Sequence, residues 1–361
     1  MVSIKETGAS LKASCKVNLG YPYHLNDSPA EHLAALQAQF QSGAAPTPDM
    51  LEEKVAKMFG KPAALWCPTG TMAQGIAGRI YAERSGNNTV IFHPTSHLLL
   101  HEEDGYSAAH GLAAKVVGKW REPMSADMLD GDAACAFVEV PERQSGGLLP
   151  TWDDLSALKA RAADLGLPLH MDGARVWSTR PYYDNRSYAE IVDGFSSIYV
   201  SFYKDIGAPV GAALIGDEDF IEEAKIWRKR LGGTLVDASY YIADTLRLLD
   251  KRLAQMPGFI EVAKRLGQAV EAIEGVSVSP NPPQVNMFHV MLPVNASVAE
   301  QARDIVAEKT GIWIANRFWA YEGDGVCAME VMVGEKIAAL PQEDFIGAVK
   351  LLAEEAQRLA G

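Results

Sequence analysis

From about residue 48 the chain alternates short apolar runs with longer amphipathic ones. Leu51, Val55, Met58 and Phe59 recur at helical spacing behind Pro48, and Gly60 ends the run, which predicts a helix. Residues 63–67 form a short apolar run that predicts a strand, and the turn at Pro68-Thr69-Gly70 opens a helix reaching about Arg84. Strand-like runs recur at 89–92, 114–117, 135–140, 167–171, 197–200 and 211–215. Between two of them Thr151 serves as an N-cap, with Asp153 and Asp154 in a first turn whose dipole favours acids. Strands separated by helices predict a mostly parallel sheet covered on both faces.

After about Asp217 the pattern changes. Three helical stretches follow one another, 217–230, 236–254 and 258–273, then strands near 276–279, 284–292, 312–316 and 327–333. One helix lies among these strands and a last one begins at Gln342, the pattern of a small α+β domain. The expected organisation is an N-terminal arm over 1–25, a large domain over 26–256 and a small C-terminal α+β domain over 257–361. The boundary falls at Met256-Pro257-Gly258, inside a helical connection.

Composition narrows the function classes. The chain has 361 residues and a formal net charge of −13, which argues against a nucleic-acid partner, since phosphate backbones are held by clustered Lys and Arg. The same surplus speaks against docking on anionic membrane. The longest apolar stretches, such as 211–216 and 288–294, fall far short of the roughly 20 residues a helix needs to cross a bilayer. Residues 1–15 contain no apolar core of a signal peptide, and four scattered cysteines, Cys15, Cys67, Cys135 and Cys327, read as reduced thiols of a cytoplasmic protein. Without CxxC or regular spacing they predict no metal site.

Three segments carry candidate chemistry. In His170-Met171-Asp172-Gly173-Ala174-Arg175 a strand ends in an acid followed by glycine. Open α/β sheets bind ligands beyond the carboxyl ends of their strands, so Asp172 is either a turn residue or a ligand partner. Lys204 follows a β-rich run and is flanked by Phe202, Tyr203 and Ile206. A lysine is usually a solvated surface group, but apolar flanks desolvate an amine, lower its pKa and suit it to Schiff-base chemistry. Pro68-Thr69-Gly70-Thr71-Met72-Ala73 lies between a strand and a helix, where it is either a plain Thr N-cap or a phosphate cup of backbone N–H groups. Neither GxGxxG nor GxxxxGK[ST] is present, which disfavours nicotinamide dinucleotides and nucleoside triphosphates. A phosphate cup, an acid and a lysine at successive strand ends are what a pyridoxal phosphate site needs.

With PTGTMAQ, SHLLLHEEDG, HMDGAR, KDIGAPVG and IWRKRLGG in this order over about residues 47–235, the chain resembles the threonine aldolase and β-eliminating lyase family of fold-type I pyridoxal-phosphate enzymes. The resemblance implies an α/β chain of the fold-type I transferase-like class, with a large, mostly parallel sheet flanked by helices plus the smaller α+β domain. It also implies pyridoxal 5'-phosphate as cofactor, with Lys204 as the Schiff-base lysine and Asp172 as partner of the pyridine nitrogen. Gly70 and Thr71 would hold the phosphate. His97 would stack on the cofactor ring and take part in proton transfer, against the rival reading of a surface histidine. Arg175 would sit near the cofactor's phenolic oxygen and the substrate carboxylate. Arg228 resembles a residue that reaches a phosphate across a subunit interface, with a helix-surface charge as its rival reading.

Two departures concern the substrate. Threonine aldolases have an acid followed by Asn-Thr-His-Asn before a Gly-Gly turn, where this chain reads Glu139-Val140-Pro141-Glu142-Arg143-Gln144-Ser145-Gly146-Gly147. Glu142 or Arg143 thus replaces the histidine expected at the substrate hydroxyl. Near the C-terminus Glu330 stands where the family has a carboxylate-binding arginine, and Arg317 is the nearest candidate replacement. The reaction implied is cleavage of the Cα–Cβ bond of a β-hydroxy-α-amino acid to glycine and an aldehyde, with His97 or Glu142 as base. The alternatives are β-elimination from an amino acid with a β leaving group, another pyridoxal-phosphate reaction such as racemisation or decarboxylation, and a non-catalytic scaffold. The expected partners are a small amino acid substrate and further copies of the chain, in a homodimer or homotetramer with shared sites.

Overall fold

Strands that are apolar on both faces must be covered on both faces. The runs Cys135–Glu139, Ser197–Ser201 and Ala212–Gly216 are of this kind, buried along almost their whole length. A computed structural model of the chain, which describes residues 4–20, 26–41, 43, 45–321 and 325–361, places all three inside a seven-stranded sheet. Residues 1–3 and 21–25 of the expected N-terminal arm lie outside the described residues. The chain divides into two units, Asp27–Gln255 and a second made of Met1–Asn26 with Met256–Gly361.

The strands in chain order are β1 (Val17–Asn18), β2 (Ala63–Cys67), β3 (Thr89–Phe92), β4 (Ala113–Val116), β5 (Cys135–Glu139), β6 (Leu169–Gly173), β7 (Ser197–Ser201), β8 (Ala212–Gly216), β9 (Ser277–Ser279), β10 (Met287–Leu292), β11 (Ile312–Trp313), β12 (Trp319–Ala320) and β13 (Cys327–Met332). The large sheet has the order β2-β8-β7-β6-β5-β3-β4. The pairs β4–β3, β3–β5, β5–β6 and β6–β7 are parallel, while β8 runs against both β7 and β2. Six strands therefore point the same way and share one carboxyl edge. The segments leaving β2, β3, β5, β6 and β7 all emerge there, so that edge collects Gly70, His97, Glu142, Asp172 and Lys204.

The Gly70–Ser85 helix packs Ala73, Ile76, Ala77 and Ile80 into one buried cluster with Leu65, Val90 and Leu214. Such burial contributes about 1.5–3 kcal/mol for each large aliphatic side chain. The helix that follows β5 begins as the sequence predicts, the Thr151 hydroxyl accepting from the Asp154 N–H at 3.1 Å.

In the second unit, β12-β13-β10-β9 form an antiparallel sheet and β1 pairs in parallel with β11. The expected helix break at Met256-Pro257-Gly258 does not occur. One helix runs over Ser239–Glu271 with Pro257 inside it. An interior proline costs about 3 kcal/mol or more. Here Pro257 and Gly258 face water, which can solvate the carbonyl left without a donor, while Leu248, Leu249, Met256, Phe259 and Ile260 are all buried. Apolar burial on both sides of the proline outweighs its local cost.

Candidate active site

Lys204 sits in a tight loop beyond the buried strand β7. The Phe202 N–H donates to the Gly211 carbonyl at 3.0 Å, the Ala208 N–H to the Phe202 carbonyl at 2.9 Å, and the Gly207 N–H to the Lys204 carbonyl at 3.1 Å. Gly207 takes a positive φ of 86°, which lets the chain turn this sharply. Phe202 and Ile206 are fully buried, as the apolar flanks predict. Burial pushes the Lys204 amine down to about 8, and the Arg175 guanidinium pushes it in the same direction. Asp172 and Glu139 oppose that shift, while Arg143 adds to it. Near pH 7 the ammonium still predominates, but about a tenth of the lysine is then neutral amine, far more than for an ordinary lysine.

Asp172 is buried in β6, opposite Glu139 of β5 and Tyr199 of β7. Its Oδ1 accepts the Ala174 N–H at 3.1 Å, so the carboxylate is oriented by its own turn. Arg175 is 6% exposed and lies close enough to Lys204 to act on its charge.

At the start of the Gly70–Ser85 helix the Thr69 side chain accepts from the Met72 N–H at 3.2 Å. The Gly70 N–H donates to the Tyr203 hydroxyl at 3.1 Å, and the Tyr203 and Tyr199 hydroxyls lie 3.2 Å apart. A Cβ at position 70 would stand 2.1 Å from the Tyr199 hydroxyl and 2.7 Å from that of Tyr203, so only glycine fits. The Thr71 side chain is exposed at the same turn. The Thr N-cap reading therefore holds, and of the first N–H groups of the helix those of Gly70 and Met72 are taken up by Tyr203 and Thr69.

His97 opens the short helix after β3. Its Nδ1 lies 3.0 Å from Glu102 Oε1, on a carboxylate that is 3% exposed. A carboxylate accepts only, so Nδ1 carries the proton and Nε2 is the basic atom. Nothing in the sequence reading singled out Glu102; its signal is an acid one helical turn and a residue beyond the histidine. Replacing it tests this orientation. With His97 in the proton-transfer role that the resemblance implies, Glu102→Gln should lower kcat by up to about 100-fold, the lower end of what a positioned base contributes, with KM little changed. An unchanged kcat would show that Glu102 does not orient His97.

Glu142 is buried beyond β5. Its Oε2 accepts the Ser145 hydroxyl at 3.0 Å and its Oε1 lies 3.5 Å from His93 Nδ1. Burial and the nearby Glu139 carboxyl push it up to about 8. Arg143, the next residue, is close enough to act on Lys204. Arg228 donates to the Trp66 carbonyl at 2.6 Å and lies 3.8 Å from Glu52. Arg317 belongs to the other unit, where it is exposed beside Trp319, and Glu330 of β13 stands opposite His289 of β10. The described geometry thus gathers Lys204, Asp172, Arg175 and Arg143 around one another, with Gly70, Thr71 and His97 on the same sheet edge. The tyrosines Tyr199 and Tyr203 join them without having been predicted; their rings lie 5.9 and 6.0 Å from the Lys204 amine.

The donor set fits pyridoxal phosphate. An aldehyde takes a depressed-pKa amine, a ring nitrogen takes a buried carboxylate, and a phosphate takes a helix N-terminus with a hydroxyl. Among the described residues no group of three or more His, Cys, Asp or Glu is placed to hold a metal ion.

Residues 30–293 match the family model described as "Beta-eliminating lyase". The low-specificity L-threonine aldolase 1 of Arabidopsis thaliana is 28% identical over 286 residues, covering 74% of this chain and 78% of that protein. A crystal structure from Listeria monocytogenes, provisionally described as an L-allo-threonine aldolase, superposes with a TM-score of 0.87 at 32% identity, covering 98% of this chain and 100% of that one. An Exiguobacterium structure, provisionally described as an aromatic amino acid β-eliminating lyase/threonine aldolase, gives 0.85 at 31% identity over 96% and 99%. The chain belongs to the β-eliminating lyase family. It is a pyridoxal-phosphate-dependent lyase of the fold-type I architecture.

Proposed function

We propose that this lyase cleaves the Cα–Cβ bond of a β-hydroxy-α-amino acid, in the manner of a threonine aldolase, and releases glycine and an aldehyde. The observation that carries this reading is the half-buried Lys204 with its desolvated amine, set among Asp172 and Arg175 in a chain whose curated relatives include threonine aldolases. Bound at this edge, pyridoxal phosphate supplies a sink for the electron pair released when a bond to Cα breaks. Lys204 would be its covalent anchor, Asp172 would keep a proton on its ring nitrogen, and the Gly70-Thr71 turn would hold its phosphate. Arg175 and Arg143 offer positive charge to the substrate carboxylate, beside the Arg317 alternative.

A base must take the β-hydroxyl proton while that oxygen becomes the aldehyde oxygen. Between the two candidates, the geometry supports His97. Its Nδ1 is committed to Glu102, which leaves Nε2 to accept. Glu142, held up to about 8, keeps its own proton at neutral pH and cannot take another.

The chain is read as a homodimer or homotetramer that works in the cytoplasm. Leu33, Leu235, Val236, Tyr240 and Tyr241 of the 27–255 unit are exposed, and apolar exposure of this extent suits burial by a further copy. The four cysteines are unpaired, and no helix among the described residues is long and apolar enough to cross a membrane.

The deciding experiment assays the purified holoenzyme over a panel of β-hydroxy and β-substituted amino acids. Glycine and aldehyde release is expected. Pyruvate and ammonia release would establish β-elimination instead, and no turnover of any amino acid would leave a scaffold.

A further inference from the structure

Asp172 and Lys204 leave neighbouring strands, and a cofactor that uses both needs them in a fixed relation. The ladder that joins the two strands stops short of Lys204. Its last registered pair is Gly173 of β6 with Val200 of β7. A Cβ at position 173 would stand 2.7 Å from the Tyr199 carbonyl, so glycine lets the strands run close together up to that point. Beyond it β6 turns away through Ala174 and Arg175, while β7 continues through Ser201 into the Lys204 loop.

Trp177 bridges this gap. It lies just past Arg175, and its indole N–H donates to the Ser201 carbonyl at 2.9 Å, at the end of β7 that leads into Lys204. The side chain is 1% exposed. Its ring meets Phe59 at 5.5 Å, Tyr188 at 5.7 Å and Phe202 at 6.1 Å between centroids. The Trp177 carbonyl accepts the Tyr188 hydroxyl at 2.8 Å, and the Ser178 N–H and hydroxyl both donate to the Arg175 carbonyl, at 3.2 and 3.0 Å. Neither the indole nor the turn that carries it can shift without breaking these contacts. Past Lys204 the loop has a second tie, from the buried Arg252, whose Nε–H is directed at the Ile206 carbonyl at 3.5 Å. A contact that long is weak beside one of ordinary length, so the tie at Ser201 dominates.

We propose that Trp177 is a positioning residue: its indole N–H fastens the Lys204 segment to the turn that carries Asp172 and Arg175, and so limits where the lysine amine can stand relative to Asp172. It acts through the Ser201 carbonyl rather than on the reacting atoms. What it supplies is orientation, since an amine held in an attacking geometry reacts faster than one free to wander. This deepens the proposed function, because it rests on Lys204 being the cofactor's anchor.

The test uses the cofactor-free full chain and two readouts. The rate of covalent attachment of pyridoxal phosphate, followed by absorbance at saturating cofactor, reports on the lysine. The affinity for pyridoxine 5'-phosphate, which has no aldehyde, reports on the rest of the seat. Trp177→Phe keeps a ring among Phe59, Tyr188 and Phe202 but has no N–H to donate. It should attach the cofactor about tenfold more slowly, the scale of a modest loss of orientation, while its affinity for pyridoxine 5'-phosphate stays at the parent's value. Benzothienylalanine at position 177 keeps the shape of the indole and puts sulfur in place of the N–H. It should slow attachment as much, and it decides the matter if the phenylalanine variant does not fold. An attachment rate equal to the parent's in whichever variant folds overturns the proposal. So does a loss of affinity that matches the loss of rate, the mark of a merely structural role. Lys204→Ala in the same assay separates this failure from that of the proposed function. If that variant still attaches the cofactor, the anchor was misassigned; if it does not and the position-177 variants match the parent, only the role of Trp177 falls.

Discussion

Lys204→Ala should lower turnover by about 10⁴-fold or more, the scale on which removal of a covalent catalytic group is felt, and should abolish the visible absorbance of the purified protein. The expectation rests on how the amine is held. Its loop is closed by three backbone hydrogen bonds at 2.9 to 3.1 Å, and its flanks Phe202 and Ile206 are buried. Alanine removes the amine without touching those bonds, so the variant should fold. Burial and Arg175 make the amine neutral enough to attack, a condition an exposed lysine would not meet near neutral pH. Cofactor held only by Asp172 and the helix start should be lost on dialysis. If the absorbance survives dialysis in the variant, another amine is the anchor.

The strands of the large unit were legible because each is a short, nearly uniform apolar run bounded by turn residues. The prediction of a strand at 63–67 matches Ala63–Cys67, and that at 89–92 matches Thr89–Phe92. Elsewhere the boundaries moved by a residue or two, as at Ala113–Val116. What failed was the break at Pro257. Local propensity stops a helix there, but burial of Met256, Phe259 and Ile260 continues it, and burial partners are not written locally. The two-residue strands Val17–Asn18 and Trp319–Ala320 are too short to leave a pattern.

The site divides in the same way. Asp172 and Lys204 were readable because each ends an apolar run, and a charge in that position is conspicuous. Glu102, Tyr199, Tyr203 and Glu139 were not, because their importance comes from what they touch. Glu102 reaches His97, Tyr203 reaches the Gly70 N–H, and Glu139 acquires its neighbours only through strand register. Glu142 shows the converse. The sequence offers it as a base, but only its burial beside Glu139 reveals that it retains its proton.

Asp172→Asn should retain folded structure and bound cofactor but lose about 10²- to 10³-fold in kcat, the range found when one preorganised electrostatic contact is removed from a reacting centre. Asparagine preserves the shape and the oxygen that accepts the Ala174 N–H at 3.1 Å, so the turn into Arg175 should survive. What disappears is the charge. A neutral amide would not keep a proton on a bound cofactor's ring nitrogen, and the electron sink the cofactor would supply would be weaker. The same charge also acts on its neighbours: it favours the ammonium of Lys204 and disfavours ionisation of Glu139. Removing it lowers the pKa of both, so Lys204 becomes neutral more readily and attachment of the cofactor should not suffer. Loss of kcat with undiminished cofactor content is therefore the signature, measured by turnover and cofactor stoichiometry on the same preparation. Near-normal turnover would remove Asp172 from the chemistry. Loss of both together would assign it to holding the cofactor rather than to activating it.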